Sequence, residues 1–288
     1  MLNTNIHLLE KFLDKKIIQS KQLSDSFNIN CVKITTEDKQ NFVVKFYYKK
    51  TSKFNAIKAE AENLIFLNNE NLSFFPNVIK HNDQFLIIKY IENNNKIPKQ
   101  IGKDFLEAIT NIHKKTSEKY GFKFDTQVGG MKLINGLEDN WVNFFCNKRL
   151  SSIFDAICKS NPMPKNVNKM IESLLKDLKN RLPSNPKASL LHGDLWEGNI
   201  LFNDEKFTGL IDPGSFFGHS EMEVAYLRWF NPDYIDNNFI KIYSEYIPID
   251  KSYFSYEYIY QLYYSLMNVH LWSRSYIDNC YYLLKKII

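Results

Sequence analysis

The stretch SLLHGDLWEGNILF, Ser189 to Phe202, sets His-Gly-Asp between two apolar runs. Loops that carry polar groups into a protein's interior commonly do so for chemistry. Asp194 is a potential general base. Asn199, five residues on, offers a neutral oxygen, and Asp212 adds a carboxylate at the end of a second apolar run, FTGLIDPG. One base, one amide and one carboxylate suit Mg²⁺, a hard cation that takes a few protein oxygens together with phosphates. The chemistry served by such a set is phosphoryl transfer, where positioning and charge stabilisation matter more than covalent help.

Elements must bring these groups together. NILF and TGLI flank NDEK, so they form a small hairpin that folds Asn199 and Asp212 towards each other, near the loop that holds Asp194. Phosphoryl transfer also needs a lysine on an inner strand, oriented by a helix glutamate. Upstream, NCVKITTEDKQNFVVKFYY reads as a hairpin whose turn is Glu37 to Gln40 and whose second strand carries Lys45. KFNAIKAEAENLIFLNN follows as a helix with Phe54, Ile57, Ala61 and Leu64 on one face. Glu60 and Glu62 lie about 200° apart on it, so only one of them can face Lys45; Glu60 is the expected partner. QFLIIKYI is a short buried strand.

The first ninety or so residues thus read as strand-rich with one helix. Beyond them the pattern turns helical, in IGKDFLEAITNIHKK, in VNKMIESLLKDLKNRL up to Pro183, and from Tyr253 to Ile288. The fold class expected is α+β. A small sheet lobe with one main helix (1–88) is joined by a connector (89–92) to a larger, mostly helical lobe (93–288). His113 and His270 fall on apolar helix faces and read as packing residues, and the tyrosines of YFSYEYIYQLYY as core and lobe surface.

Composition narrows the field. A chain of 288 residues with 44% hydrophobic side chains is globular. Its net charge of +5 is spread among 32 acidic residues, with only a short basic cluster at Lys49, Lys50 and Lys53, so no nucleic-acid partner is expected. Cys31, Cys146, Cys158 and Cys280 are too scattered for a zinc site or a disulfide framework and read as free thiols. No basic leader opens MLNTNIHLLEKFLDKK, and no apolar run nears the roughly 20 residues of a membrane span. The expectation is a cytoplasmic protein with no membrane partner; the sequence leaves its oligomeric state open. No G-x-S-x-G elbow and no H-E-x-x-H occurs, so hydrolase chemistry fits poorly.

Protein kinases carry H-R-D-L-x-x-x-N followed by a D-F-G aspartate for Mg²⁺. Here His192-Gly193-Asp194-Leu195 with Asn199 keeps that spacing, and Asp212-Pro213-Gly214 stands in place of D-F-G. Over nearly its whole length the chain resembles the fructosamine (ketosamine) kinases, within the wider aminoglycoside phosphotransferase and choline kinase group. The segments that carry the resemblance are FVVKF, AEAENLIFL, FLIIKYIE, YGFKFDTQVGG, NWVNFFCNKRL, LLHGDLWEGNI, LIDPGSFFGHSEMEVAYL and YIYQLYYSLMNVHLWSRSY. The resemblance implies a bilobal, protein-kinase-like fold and ATP-Mg²⁺-dependent phosphorylation of the sugar O3 in ketosamines. It makes Asp194 the base, Asn199 and Asp212 the Mg²⁺ ligands, and Lys45, oriented by Glu60, the phosphate-binding lysine. Lys89, Tyr90 and Ile91 become the hinge whose backbone pairs with adenine. Trp196 either stacks on the sugar or fills the core beneath the loop. His219 and Glu221 either orient the loop after Asp212 or form a buried structural pair.

The chain departs from the family pattern in four places. LSDSFNIN has no glycine ahead of the lysine strand, Lys89 stands where Glu is common, Glu223 where Asp is usual, and Ser273-Arg274 replaces a glycine. The leading expectation is a kinase whose acceptor is a small molecule or glycated amine. The alternatives are a kinase of choline, thiamine or an aminoglycoside, and a nucleotide-binding pseudokinase scaffold.

Overall fold

The computed structural model describes the backbone of residues 2–50 and 52–288, and the side chains of that range from Ile6 onward. In chain order the first elements are α1 (Leu2–Leu13), β1 (Ile17–Ser26), β2 (Ile29–Thr36), β3 (Asn41–Tyr47), α2 (Ala56–Asn69), β4 (Val78–His81) and β5 (Phe85–Lys89). Next come α3 (Lys103–His113), β6 (Thr116–Ser117), β7 (Tyr120–Phe122), β8 (Thr126–Val128), β9 (Met131–Leu133), β10 (Gly136–Glu138), α4 (Trp141–Phe144), a π-helical turn Phe145–Leu150, α5 (Ser151–Ser160) and α6 (Lys165–Asp177). The last are β11 (Ala188–Leu191), β12 (Ile200–Asn203), β13 (Lys206–Leu210), β14 (Phe216–His219), α7 (Ser220–Phe230), α8 (Phe239–Ser244), α9 (Tyr253–Leu271) and α10 (Tyr276–Ile287).

Two compact units result. The first gathers Met1–Lys96, Thr126–Lys132 and Asn199–Gly214; the second gathers Ile97–Asp125, Leu133–Gly198 and Ser215–Ile288. The first is built on an antiparallel sheet in the order β1-β2-β3-β5-β4. Strand β2 alternates strictly between half-buried and buried residues, as a strand with two unlike faces must. Val32 and Ile34 point to one side, where Phe42, Val44, Phe46, Phe85 and Ile87 join Leu9 and Leu13 of α1 in an apolar core. Helix α1 is a second helix in a region expected to hold one. Leu9, Phe12 and Leu13, at helical spacing, are what seat it.

The second unit has its own antiparallel sheet, β10-β7-β14-β11-β6, with helices around it. Its core is aromatic. Trp141 is fully buried, donates its indole N–H to Tyr260 Oη at 2.9 Å, and packs against Phe144 and Phe145. Helix α9 is buried nearly all round, which explains its run of Tyr253, Tyr256, Tyr260, Tyr263 and Tyr264. The C-terminal helical region breaks at Trp272–Ser275 into α9 and α10. Among the described residues no helix is long and apolar enough to cross a membrane, and the four cysteines are free.

Candidate active site

The lysine of β3 is placed by two matched ladders. Lys45 and Tyr47, two apart on a strand, leave the same face roughly 6.6 Å apart. Ala56 and Glu60 lie one turn apart on α2, about 6 Å along its axis. The Ala56 N–H donates to Tyr47 Oη at 2.8 Å, and Lys45 Nζ donates to Glu60 Oε1 at 2.7 Å. Asn55 fixes the helix start by accepting from the Lys58 N–H at 3.2 Å. Glu60 is buried and Glu62 only half-buried, so it is Glu60 that the helix turns towards Lys45.

Lys45 has a second partner, Asp212, whose Oδ1 lies 2.5 Å from Nζ. Burial by itself would lower the ammonium's pKa, but Asp212 and then Glu60 more than reverse this and hold it above the usual lysine range. Asp212 adopts a left-handed backbone, φ 56°, which costs an L-residue about 1–2 kcal/mol and which aspartate tolerates better than most. Strain of this kind gathers at working sites. Two residues on, a Cβ at Gly214 would stand 2.6 Å from the Gln127 carbonyl oxygen and 2.8 Å from Val128 Cγ2, so the loop can lie against β8 only because Gly214 has no side chain. The β12–β13 hairpin forms over NILF and its partner strand as expected, pairing Ile200 with Leu210. The Ile211 N–H donates to the Asn199 carbonyl at 3.0 Å, which sets Asn199 beside the residue preceding Asp212.

Asp194 belongs to the second unit, where the Tyr226 hydroxyl reaches its carboxylate. Strand β11, paired to β14 through Leu191 and Phe216, delivers His192 into the interior. Gly193, at φ 88°, takes a conformation that only glycine adopts freely. It thereby turns two successive N–H groups onto one carboxylate: His192 N–H reaches Glu223 Oε2 at 2.9 Å and Gly193 N–H reaches Oε1 at 2.7 Å. Glu223 is fully buried. Burial pushes its pKa up, but the hydrogen bond and charge of His113, together with His192, outweigh this and bring it below the usual carboxylate value. His113 Nε2 stands 3.0 Å from Glu223 Oε2, and its Nδ1 2.7 Å from Tyr243 Oη. Within the loop, the Asp194 N–H donates to His192 Nδ1 at 3.2 Å. Tyr226 Oη donates to Asp194 Oδ1 at 3.4 Å; burial first, and then Asp194, keep that hydroxyl protonated.

The remaining expected residues fall as follows. Trp196 is half-buried, its ring lying so close on Gly198 that a Cβ there would come within 2.3 Å of it. His219 and Glu221 are buried and bonded to α9 and its approach. His219 Nδ1 meets Tyr260 Oη at 2.8 Å, while Glu221 accepts from Tyr256 Oη and from the Asp250 N–H. Of the hinge residues, Lys89 is exposed and Tyr90 and Ile91 half-buried. The Tyr90 N–H donates to the Asn41 carbonyl, continuing the β3–β5 ladder, and the Ile91 carbonyl accepts from Asn93. Where the family pattern leads one to expect glycines, a two-residue turn joins β1 to β2 through Phe27 (φ 53°) and Asn28 (φ 62°). Paired positive φ values are what such a hairpin turn requires, and here bulkier residues supply them.

Three residues at the site escaped the sequence reading. Glu223 registered only as a departure from the family pattern, His113 as a packing residue, and Tyr226 not at all. Their contacts are to backbone amides, to the Asp194 carboxylate and to one another across distant elements, which no local spacing encodes.

Among the described residues no cluster of three or more His, Cys, Asp or Glu is suited to a metal. A family model described as fructosamine kinase matches residues 1–288. The chain belongs to that family. A candidate ketoamine kinase of Pasteurella multocida is 32% identical over 80% of this chain and 78% of its own. Among solved structures, a candidate fructosamine-3-kinase of Thermobifida fusca covers 100% of this chain and 99% of its own, with a TM-score of 0.88 at 20% identity. A choline kinase of Streptococcus pneumoniae covers 99% and 96%, with a TM-score of 0.67 at 15% identity. These two likenesses establish the protein-kinase-like fold. Membership of the fructosamine kinase family makes the chain an ATP-dependent phosphotransferase that acts on sugar-amine compounds.

Proposed function

We propose that this fructosamine kinase family member transfers the ATP γ-phosphate to O3 of the sugar in ketosamines, with Asp194 as the base that accepts the hydroxyl proton. The observation that carries the reading is the Lys45 ammonium bound by both Glu60 and Asp212. It joins the strand lysine to the Asp-Pro-Gly aspartate, the pairing of groups that phosphoryl transfer requires on either side of a triphosphate.

In this reading Lys45 grips the ATP phosphates and Glu60 keeps it aimed. Asn199 and Asp212 offer an amide oxygen and a carboxylate, hard ligands that fit Mg²⁺ well. An ion held there would neutralise charge on the β- and γ-phosphate oxygens. The adenine pairs with the Lys89 carbonyl and the Ile91 N–H of the connector, the Tyr90 N–H being engaged by Asn41. Trp196 lies against the sugar. His219 and Glu221 support α9 and do not touch substrate, a reading favoured by their burial and partners.

The test is ATP consumption with fructosyl-lysine, ribosyl-lysine, choline, thiamine and kanamycin as acceptors, with the phosphate located on the product by NMR. Turnover with the ketosamines and a 3-phosphate product are expected. Turnover confined to choline, thiamine or kanamycin, or none at all, overturns the proposal.

A further inference from the structure

Around Tyr226, which binds Asp194, stands an aromatic group in which Phe230 has no part in the reaction as described. Helix α7 stops at Phe230 because Asn231 takes a left-handed backbone, φ 48°, and turns its N–H back to the Leu227 carbonyl at 2.9 Å. The end of the helix therefore presents Trp229 and Phe230, both half-buried, together with the partial negative charge of its last carbonyls. Phe230 is bracketed by two rings tied to the Asp194 loop. Tyr226, hydrogen-bonded to Asp194, meets Phe230 edge-on with centroids 6.4 Å apart, and Trp196 meets it at 5.5 Å. Trp229 backs the group by stacking on Tyr226 at 6.1 Å, and its indole N–H donates to Asn279 at 3.0 Å. The one cation in this turn, Arg228, is bound to Glu257 at 2.6 Å.

The geometry points to Phe230, supported by Tyr226, Trp229 and Trp196, as a subsite for the protonated amine of the acceptor, a specificity-determining surface next to the base. The inference rests on the ketosamine reading above. In a ketosamine the nitrogen lies four bonds from O3, through C3, C2 and C1, so a substrate whose O3 is held at Asp194 must place its ammonium close by. A cation over an aromatic face is attracted to the ring's negative quadrupole, and a helix C-terminus adds to the attraction. One ring face accepts one charge, which suits a single secondary ammonium better than a polycation.

The experiment compares wild type, Phe230→Leu and Phe230→Tyr on two acceptors that differ in one atom: a ketosamine and its ether analogue with oxygen in place of the amine nitrogen. Phe230→Leu keeps apolar bulk and loses the ring face. It is expected to raise KM for the ketosamine roughly two- to thirtyfold, the range a cation–π contact supplies, while KM for ATP and for the ether change little. Phe230→Tyr is expected to restore the wild-type preference. A rise that is equal for both acceptors, or no rise, overturns the subsite, and thermal melting shows whether an equal rise reflects loosened packing. Wild type active on both acceptors without favouring the amine overturns the subsite alone. Wild type inactive on both overturns the ketosamine reading, and the subsite with it.

Discussion

The contacts described for Asp212 and for Asp194 differ in kind. Asp212, in the first unit, is partly exposed and gripped by a buried ammonium that also serves Glu60. Asp194, in the second, is set by backbone turns, by two amides anchored on Glu223 and by the hydroxyl of Tyr226. The difference is instructive. A carboxylate proposed to hold a metal beside phosphates can share a cation and exchange it, since opposite charge is what it offers. A carboxylate proposed to accept a proton is weakened as a base by a cation against it, and the Tyr226 hydroxyl that reaches Asp194 is a neutral donor.

The sharpest way to break this contrast is Asp194→Asn. It keeps the shape of the loop and removes the proposed base, so kcat should fall by roughly 10²–10⁴ while calorimetry finds ATP binding intact. Turnover near that of wild type would deny Asp194 its role. Lys45→Met attacks the other side. It strands the buried Glu60 carboxylate, and breaking a buried pair costs about 3–5 kcal/mol, to be read from urea denaturation. The double variant Lys45→Met/Glu60→Leu should recover most of that stability and still bind ATP weakly. A single variant as stable as wild type would mean that charge does not hold this unit together.

Glu223→Gln tests the anchor of the loop that carries the second aspartate. One loop N–H would then face an amide NH₂, costing about 1–3 kcal/mol of stability, and kcat should drop more than KM for ATP rises. Equal loss in both would speak for general loosening. The smallest effect concerns His219, whose pKa is pushed down to about 3, by burial above all, despite the opposing pull of Asp250. Unfolded histidine titrates near 6.5. Between these values the unfolded chain holds a proton that the native one lacks, so stability rises with pH there, by at most about 1.4 kcal/mol per unit, and is lost as acid is added. His219→Asn should flatten that slope between pH 7 and 4.5, and an unaltered slope would assign it to other groups.

Much of the fold could be read from periodicity. The β2–β3 hairpin with its Glu37–Gln40 turn, the face of α2, helix α6 and the β12–β13 hairpin all follow from residues spaced two or three to four apart. The Lys45–Glu60 pairing was legible for the same reason, since strand and helix repeats fix which side chains share a side. What could not be read depends on tertiary context. Glu223 looks like its neighbour Glu221, yet one binds the loop amides and the other binds α9 and the Asp250 N–H, because residues two apart on a helix face different ways. His113 sits on an apolar face, and only the fold brings Tyr243 and Glu223 to its two nitrogens. Helix α1 is short and mostly polar, and it becomes necessary only once a sheet exists for Leu9 and Leu13 to cover.

The first unit is assembled from three separated stretches, the last ending at Gly214. A chain made from its N-terminus therefore emerges with this unit unfinished: Asp212 follows Lys45 by 167 residues. Domains commonly fold as they leave the ribosome, N-terminal first. Here the leading unit must wait for most of the trailing one to be synthesised, and no single cut in the gene can express it whole.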